Sequence, residues 1–200
     1  MKLDARAGLR AAYLVSWYAK GKPAPPPGSY KRRYLRRLGK RYKLGVFVET
    51  GTLHGETIDA LQKDFRRLYS IELSAKLSQK ASDRFKNCDH IDVLHGDSAE
   101  QIPRVLQEID EAALFWLDAH FSGGETTGSL DGSPIVSELK TILNHSYNHV
   151  IVIDDMRLFG TEPGYPEYNV FRNSVENLAG NRAVEVANDL MTITPSICAR

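Results

Sequence analysis

The feature that most constrains the fold is the regular alternation of short apolar segments with helical segments from Gly45 onward. Two apolar segments, 112–118 and 149–154, lack the polar alternation of a half-exposed strand, as expected when both faces of a strand are covered. Strands that alternate with helices in this manner form βαβ units and a parallel sheet. The pattern therefore predicts an α/β fold with a doubly wound, Rossmann-like, mostly parallel sheet.

The predicted elements follow from apolar periodicity and from the turn residues between them. The predicted strands are 46–49, 68–73, 91–95, 112–118, 149–154, 183–187 and 190–194. The predicted helices of this region are 57–67, 74–85, 99–109, 134–143 and 167–178. The last two strands flank Asn188-Asp189, a pair suited to a tight turn, so they are predicted to form a C-terminal antiparallel hairpin.

Charge divides the chain into a basic arm and an acidic body. Residues 1–44 carry 13 Lys or Arg and one acid, whereas residues 45–200 carry 13 Lys or Arg and 24 acids. Helical periodicity over 5–20 and 29–41 predicts that the arm consists of two helices joined by a Pro-rich break. We therefore predict two units, the arm 1–44 and a domain over 45–200. Three roles stay open for the arm: lying across the body's acidic surface, forming a homo-oligomer interface, or binding an anionic acceptor.

Composition excludes several classes of protein. A chain with 42% hydrophobic and 26% charged residues is typical of a globular protein rather than a disordered one. The two cysteines, Cys88 and Cys198, are too few for a disulfide framework or a four-cysteine zinc site. Apolar runs fall short of the roughly 18 residues that a membrane span needs. We expect a cytoplasmic protein without a transmembrane segment.

Acidic side chains stand at the ends of five successive predicted strands. These are Glu49, Glu72, Asp97, Asp118 and the pair Asp154-Asp155. Parallel strands bring their carboxyl ends to one edge of the sheet, which is where ligands of doubly wound folds bind. A row of carboxylates at this edge favours a cationic ligand and disfavours a diphosphate.

The turn after the first strand carries two glycines, in the sequence Glu49-Thr50-Gly51-Thr52-Leu53-His54-Gly55. Gly51 and Gly55 permit a tight turn and a close approach of a ligand to the backbone. The spacing matches neither the dinucleotide pattern G-x-G-x-x-G nor a P-loop, and Glu49 would repel a phosphate. A nicotinamide-dependent dehydrogenase is therefore disfavoured.

These residues make the sequence resemble the class I S-adenosylmethionine-dependent methyltransferases over about 46–195. The resemblance implies that S-adenosylmethionine is bound at the methionine, ribose and adenine ends by residues of the first four strand ends. The implied cofactor-binding residues are Glu49, Gly51, Thr52, Gly55, Glu72, Asp97, Ser98 and Asp118. One position departs from the family pattern, because Leu53 replaces the middle glycine of the turn.

Two further segments, 117–124 and 150–155, resemble uncharacterised bacterial members of this family and metal-dependent O-methyltransferases of the macrocin, mycinamicin and catechol types. The resemblance implies that Asp118, Asp154 and Asp155 bind Mg²⁺, an ion that prefers hard oxygen ligands. The implied catalytic residues are Asp118 and His120, since a histidine with a pKa near neutrality suits a general base. Asp154 can alternatively cap the next element, with Asp155 paired to an Arg such as Arg157.

The implied activity is O-methylation of a hydroxyl group on a small molecule or saccharide. The polar loop 122–133 is expected to be a lid over the acceptor or an ordinary surface loop, and the aromatic segment 159–168 is expected to form a second wall. Two other functions remain open. The basic arm can bind nucleic acid for methylation, because tyrosines lie among its charges, or the chain can be a non-catalytic cofactor-binding scaffold.

Overall fold

A computed structural model describes residues 5–118, 134–163 and 165–196. His120 and the loop 122–133 lie outside the described residues. The helices are α1 (Ala5–Ala19), α2 (Gly28–Tyr42), α3 (Glu56–Leu61), α4 (Ala75–Phe85), α5 (Ser98–Glu108), α6 (Pro134–Leu143) and α7 (Tyr168–Ala179). The strands are β1 (Val46–Thr50), β2 (Arg67–Glu72), β3 (Ile91–His95), β4 (Ala113–Leu117), β5 (Val150–Ile153), β6 (Ala183–Ala187) and β7 (Leu190–Thr194).

The strands form one seven-stranded sheet in the order β3-β2-β1-β4-β5-β7-β6. The first five strands run parallel, and β7 is antiparallel to both β5 and β6. Asn188 and Asp189 both adopt positive φ, 51° and 67°, as a two-residue hairpin turn of the primed type requires. The predicted doubly wound, mostly parallel sheet with a C-terminal antiparallel hairpin is confirmed.

Helices cover both faces of the sheet, and the burial of the strands reflects this. Neighbouring residues of β1 belong to opposite cores: Val48 lies in the cluster that contains α5, α6 and α7, and Phe47 lies in the cluster that contains α2, α3 and α4. Both side chains are fully buried. The strands are continuously apolar because helices cover both faces of the sheet, as predicted.

Helix α2 belongs to one of these covering layers although it lies in the basic segment. Leu35 and Leu38 are buried against the sheet in the same cluster as Phe47. Gly39 allows close contact with Phe65, because a Cβ atom at this position would lie 2.6 Å from the Phe65 ring. The basic residues of α2 thus stand on a helix that is fixed to the acidic body.

Two arginines on α2 pair with acids of the body. Arg36 Nε lies 2.6 Å from Asp64 Oδ2, and Arg32 Nη1 lies 3.5 Å from Glu56 Oε2. Of the three arrangements left open by the sequence, these contacts correspond to the arm lying across the body's own acidic residues.

Helix α1 makes much less contact with the rest of the chain. Trp17 is buried, its ring packs on Tyr30 with centroids 4.7 Å apart, and its Nε1 donates to the Pro23 carbonyl at 2.7 Å. Leu9 and Tyr13 are exposed. Within the described ranges, no helix is long and apolar enough to cross a membrane.

One element differs from its predicted bounds by a large margin. The helix predicted over 57–67 ends at Leu61, and Arg67 already begins β2. Phe65 turns into the core beside Phe47, with ring centroids 5.3 Å apart, and Asp64 is held by Arg36. These tertiary contacts stop the helix where its sequence pattern would continue.

Candidate functional site

The strand order reverses between β1 and β4, so a cleft opens at the carboxyl ends of these neighbouring strands. Gly51, with φ at 82°, brings the β1 turn close to Asp118 at the end of β4. A Cβ atom at Gly51 would lie 3.5 Å from the Asp118 Cβ. The residues of the glycine turn and the first predicted catalytic acid therefore flank the same cleft.

Glu49 lies beneath this turn and is only 1% exposed. Ser70 Oγ donates to Glu49 Oε1 at 2.7 Å, and the Ser70 and Thr52 hydroxyl oxygens are 2.6 Å apart. Burial raises the pKa of Glu49 to about 8; the Ser70 hydrogen bond opposes this rise, and the charges of Asp118 and Glu72 add to it. Glu49 therefore holds a proton at neutral pH unless a cationic group lies beside it.

Glu72, at the end of β2, is fixed by two backbone groups. The Leu53 N–H donates to one carboxylate oxygen at 2.9 Å, and the Ser74 N–H donates to the other at 2.9 Å. Each oxygen keeps a second acceptor position, because a carboxylate oxygen has two lone pairs. Glu72 is thus oriented by the turns after β1 and β2, while it can still accept hydrogen bonds from a ligand.

Leu53, the departure from the family pattern, adopts the left-handed conformation with φ at 49°. This conformation is one that glycine adopts without steric strain. Leu53 is 58% exposed, and its backbone N–H donates the hydrogen bond to Glu72 described above. The turn geometry is therefore retained without the middle glycine.

Gly55 at the other end of the turn is also left-handed, with φ at 69°. A Cβ atom there would lie 2.8 Å from the Phe85 ring, so the position requires glycine for packing as well as for conformation.

Asp97 and Ser98 both have protein partners at the end of β3. Asp97 is the N-cap of α5 and accepts the Ala99 N–H at 2.8 Å. Ser98 Oγ forms a short hydrogen bond to Glu138 of α6. Burial raises the pKa of Glu138 to about 7, while Ser98 opposes the rise and Asp97 adds to it. Glu138 was not a candidate from the sequence, where nothing in its helical surroundings marks it.

The acids after β4 and β5 form the second group of the site. One carboxylate oxygen from each of Asp118, Asp154 and Asp155 lies within 4.8 Å of the other two. Asp154 and Asp155 are buried, and Asp154 accepts the Asp155 N–H at 2.8 Å. Three hard oxygen donors at this separation have the chemistry and spacing to hold one small cation.

Lys31 of α2 reaches into this aspartate cluster. Its Nζ makes a very short contact with Asp154 Oδ2 and lies 3.4 Å from Asp155 Oδ1. Burial is the largest single influence and lowers the pKa of Lys31, but the acids around it outweigh burial, so the pKa is raised above its ordinary value. Lys31 was not a candidate from the sequence, because it lies 123 residues before Asp154 and within a run of basic residues.

Arg157 supplies a second positive charge beside the same cluster. It donates to Asp155 Oδ1 at 2.6 Å and also contacts Asp189 in the β6–β7 turn. This is the pairing of Asp155 with Arg157 that was weighed as an alternative to a metal site. A divalent ion and the two basic side chains would therefore compete for the oxygens of Asp154 and Asp155.

The aromatic segment after β5 does not face a pocket along its whole length. Phe159 is buried and stacks on Phe171 of α7, with ring centroids 4.4 Å apart, and Tyr165 packs edge-on against it at 5.2 Å. Phe159 therefore contributes to the core between the sheet and α7 rather than to the expected wall of an acceptor pocket.

Comparison with known proteins identifies the class to which this fold belongs. No protein-family model matches the sequence, and no curated protein matches it. The SAH-bound methyltransferase PaMTH1 from Podospora anserina is similar in structure, with a TM-score of 0.58, 14% identity and coverage of 98% of each chain. An O-methyltransferase from Bacillus cereus in complex with SAH has a TM-score of 0.58 and 16% identity over 92% of this chain and 90% of that chain. TomG from Streptomyces achromogenes in complex with SAM has a TM-score of 0.53 and 18% identity over 94% of this chain and 89% of that chain. The last is an O-methyltransferase involved in tomaymycin synthesis.

The chain therefore has the Rossmann-like fold of the class I S-adenosylmethionine-dependent methyltransferases, as its sequence predicted. The structural likeness extends over nearly the whole length of the compared chains, including the basic segment. At sequence identities of 14–18%, this structural likeness shows the fold alone.

Proposed function

We propose that this protein is an S-adenosylmethionine-dependent methyltransferase that methylates a hydroxyl group of a small molecule or saccharide. The observation that carries the proposal is the cleft at the strand reversal, where a glycine turn, two oriented glutamates and an aspartate cluster meet. The similar structures with SAH or SAM support the choice of cofactor.

Within the proposal, the β1 and β2 ends hold the cofactor. Glu49, Gly51, Thr52 and Gly55 surround its methionine end, where positive charge favours the ionised form of Glu49. Glu72 accepts hydrogen bonds from the ribose hydroxyls. It uses the second acceptor position of each carboxylate oxygen, which its hydrogen bonds to the backbone do not occupy. At the adenine end, Asp97 and Ser98 are the predicted contacts, in addition to their structural bonds to α5 and Glu138.

The chemistry assigned to this chain is alignment and proton transfer. The bound cofactor supplies an activated methyl group on a sulfonium. Asp118 is proposed to orient the acceptor hydroxyl at the cleft, because it lies beside Gly51. His120, two residues further, is proposed to take the proton of the acceptor hydroxyl as a general base. Alignment of the acceptor oxygen with the methyl group can contribute a substantial part of such a rate enhancement.

The binding of Mg²⁺ by Asp118, Asp154 and Asp155 stays a prediction. A homo-oligomeric state and a cytoplasmic location are predictions as well. Methylation of nucleic acid and a purely scaffolding role stay alternatives to the proposed activity.

Calorimetry with S-adenosylhomocysteine tests the proposal. The full chain is expected to bind it, and Glu72→Gln is expected to weaken binding by about tenfold or more, because a charged acceptor of two ligand hydroxyls is lost. Glu56→Gln is the matched control, since Glu56 is an exposed acid at the start of α3. Absence of binding, or tighter binding of NAD, would contradict the proposed cofactor.

Activity is tested with methyl-labelled S-adenosylmethionine and a panel of hydroxylated small molecules and saccharides. Once an acceptor is found, His120→Ala is expected to reduce kcat by about a hundredfold or more at neutral pH. Unchanged turnover in both His120→Ala and Asp118→Ala would favour the cofactor-binding scaffold.

A further inference from the structure

The amino group of Lys31 lies where a cation bound by the aspartate cluster would lie. It contacts two of the three carboxylates directly, Asp154 and Asp155. An oxygen of Asp118, the third, lies within 4.8 Å of oxygens of both. Lys31 is thus bound directly to the cluster.

Packing of α2 determines the position of Lys31. Tyr30, the preceding residue, is buried, and its hydroxyl accepts from Asn188 Nδ2 at 2.9 Å in the β6–β7 turn. One helical turn later, the Tyr34 hydroxyl lies 2.9 Å from Thr192 Oγ1 of β7. Leu35 is fully buried on the same helix. These contacts fix the first turns of α2 at the carboxyl edge and direct Lys31 at the cluster.

The low exposure around Lys31 indicates that its ammonium group stays bound to the aspartates, unlike a solvent-exposed ion pair. Its side chain is 17% exposed, and Asp154 and Asp155 are 3% and 1% exposed. The ammonium also lies 5.9 Å from the centre of the buried Trp116 ring, a distance at which a ring face attracts a cation. Asp155 also pairs with Arg157, but removal of Lys31 would leave the buried Asp154 without this charge, which is strongly destabilising because buried ions require partners.

An ion and this ammonium cannot occupy the cluster together. Both need the same oxygens of Asp154 and Asp155, and two positive charges a few ångströms apart repel each other. Binding of a divalent ion would therefore require Lys31 to leave, although the adjacent α2 contacts hold it in place.

We propose that the ammonium group of Lys31 is the resident cation of the Asp118, Asp154 and Asp155 cluster and takes the place of a divalent metal ion there. The inference deepens the proposed function and rests on it, because it concerns the acceptor side of the same cleft. It also gives the basic arm a specific role, since α2 delivers one positive charge to the reaction site. Methyl transfer by this protein is then independent of added Mg²⁺.

Binding of Mn²⁺, a stand-in for Mg²⁺ that electron paramagnetic resonance detects, tests the proposal on the full chain. Wild-type protein is expected not to bind Mn²⁺ at micromolar concentrations. Lys31→Met is expected to bind it about tenfold or more tightly than wild type, and Lys31→Met with Asp154→Asn is expected to lose this gain. Lys40→Met is the matched control, because Lys40 lies on the same helix but is exposed, and it should behave as wild type.

Tight Mn²⁺ binding by the wild-type protein, equal to that of Lys31→Met, would overturn the proposal. A folded Lys31→Met protein without Mn²⁺ binding would overturn it as well, since the ammonium would then not stand in for an ion. If Lys31→Met does not fold, as circular dichroism reports, wild type and the charge-preserving Lys31→Arg decide: exclusion of Mn²⁺ by both supports the proposal, and tight binding by either refutes it.

Calorimetry with S-adenosylhomocysteine on the same samples separates this inference from the proposed function. If the protein binds the cofactor analogue and excludes Mn²⁺, the result supports both the role of Lys31 and the proposed cofactor. Exclusion of Mn²⁺ from a protein that does not bind the cofactor supports the role of Lys31 and contradicts the cofactor assignment.

Discussion

The two halves of the carboxyl edge hold their negative charge in different ways. At the ends of β1 and β2, Glu49 is held by a serine hydroxyl, and Glu72 is held by backbone N–H groups of the turns after β1 and β2. At the ends of β4 and β5, Asp154 and Asp155 are held by basic side chains: Lys31 comes from the distant helix α2, and Arg157 follows β5 directly. Within the described residues, no Lys or Arg forms an ion pair with Glu49 or Glu72.

This difference shows which half is prepared for a cationic ligand. Glu49 is buried, and its pKa of about 8 means that it accepts a proton until an external positive charge arrives. In the other half the positive charge is already built in. A cation-binding fold can therefore complete one part of its site with a ligand and another part with its own side chain.

Removal of the built-in charge is expected to have the largest effect on stability. Lys31→Met should lower the free energy of unfolding by about 3 kcal/mol, because Asp154 and Asp155 remain buried without this partner. Chemical denaturation measures the change. Lys31→Met combined with Asp154→Asn should recover part of the loss, and Lys40→Met should change stability by no more than about 0.5 kcal/mol. Equal losses for Lys31→Met and Lys40→Met would refute the comparison.

Loss of a hydrogen-bond donor from the other half should cost less. Ser70→Ala removes the donor to Glu49 and the partner of Thr52, so we expect the free energy of unfolding to fall by about 1–2 kcal/mol. Denaturation at constant pH measures this value. If Ser70→Ala lowers the free energy of unfolding as much as Lys31→Met does, loss of a single partner costs the same in both halves, and the proposed difference between them is refuted.

The protonation of Glu49 predicts a pH dependence of cofactor binding. The pKa of Glu49 is raised from 4.5 to about 8 in the folded chain, so the free energy of unfolding is not reduced by this group below about pH 4.5. It falls as the pH rises from about 4.5 to 8, because the unfolded chain then loses this proton more readily than the folded chain. A cationic cofactor favours the ionised form, so its binding should release a proton, and its affinity should rise between about pH 6 and 8, by up to about tenfold per pH unit.

Calorimetry with S-adenosylmethionine in buffers of different ionisation enthalpy measures the released proton. Glu49→Gln cannot ionise and should show neither proton release nor the pH dependence. Proton release that persists in this variant would have to come from another group and would contradict the assignment to Glu49.

The smallest effect is expected in the turn between Glu49 and Gly55. Leu53→Gly removes the left-handed strain of an exposed leucine, which is worth about 1–2 kcal/mol, but adds chain entropy to the unfolded state, which offsets about 0.5–1 kcal/mol. Thermal unfolding should show a gain of no more than about 1.5 kcal/mol. A clear loss would indicate that the leucine side chain contributes contacts to the turn.

Much of the architecture follows from local patterns in the sequence. The predicted bounds of β3, α6, β6 and β7 coincide with those of the structure, because clear apolar periods and turn residues delimit them. The end of α3 was missed, since Phe65 and Asp64 interrupt the helix through contacts with α2 and the core. Phe159 was misassigned for a related reason: its burial depends on α7, which the pattern of its own segment does not show.

The sequence by itself determined the doubly wound sheet and the row of acids at its edge. Parallel strands place their carboxyl ends together, so residues at each strand end are brought together by topology alone. Only the tertiary structure decided how those acids are neutralised. Lys31 looks like one of many solvated charges in the basic arm, and its partner Asp154 is 123 residues away, so the packing of α2 alone selects it as the cation of the site.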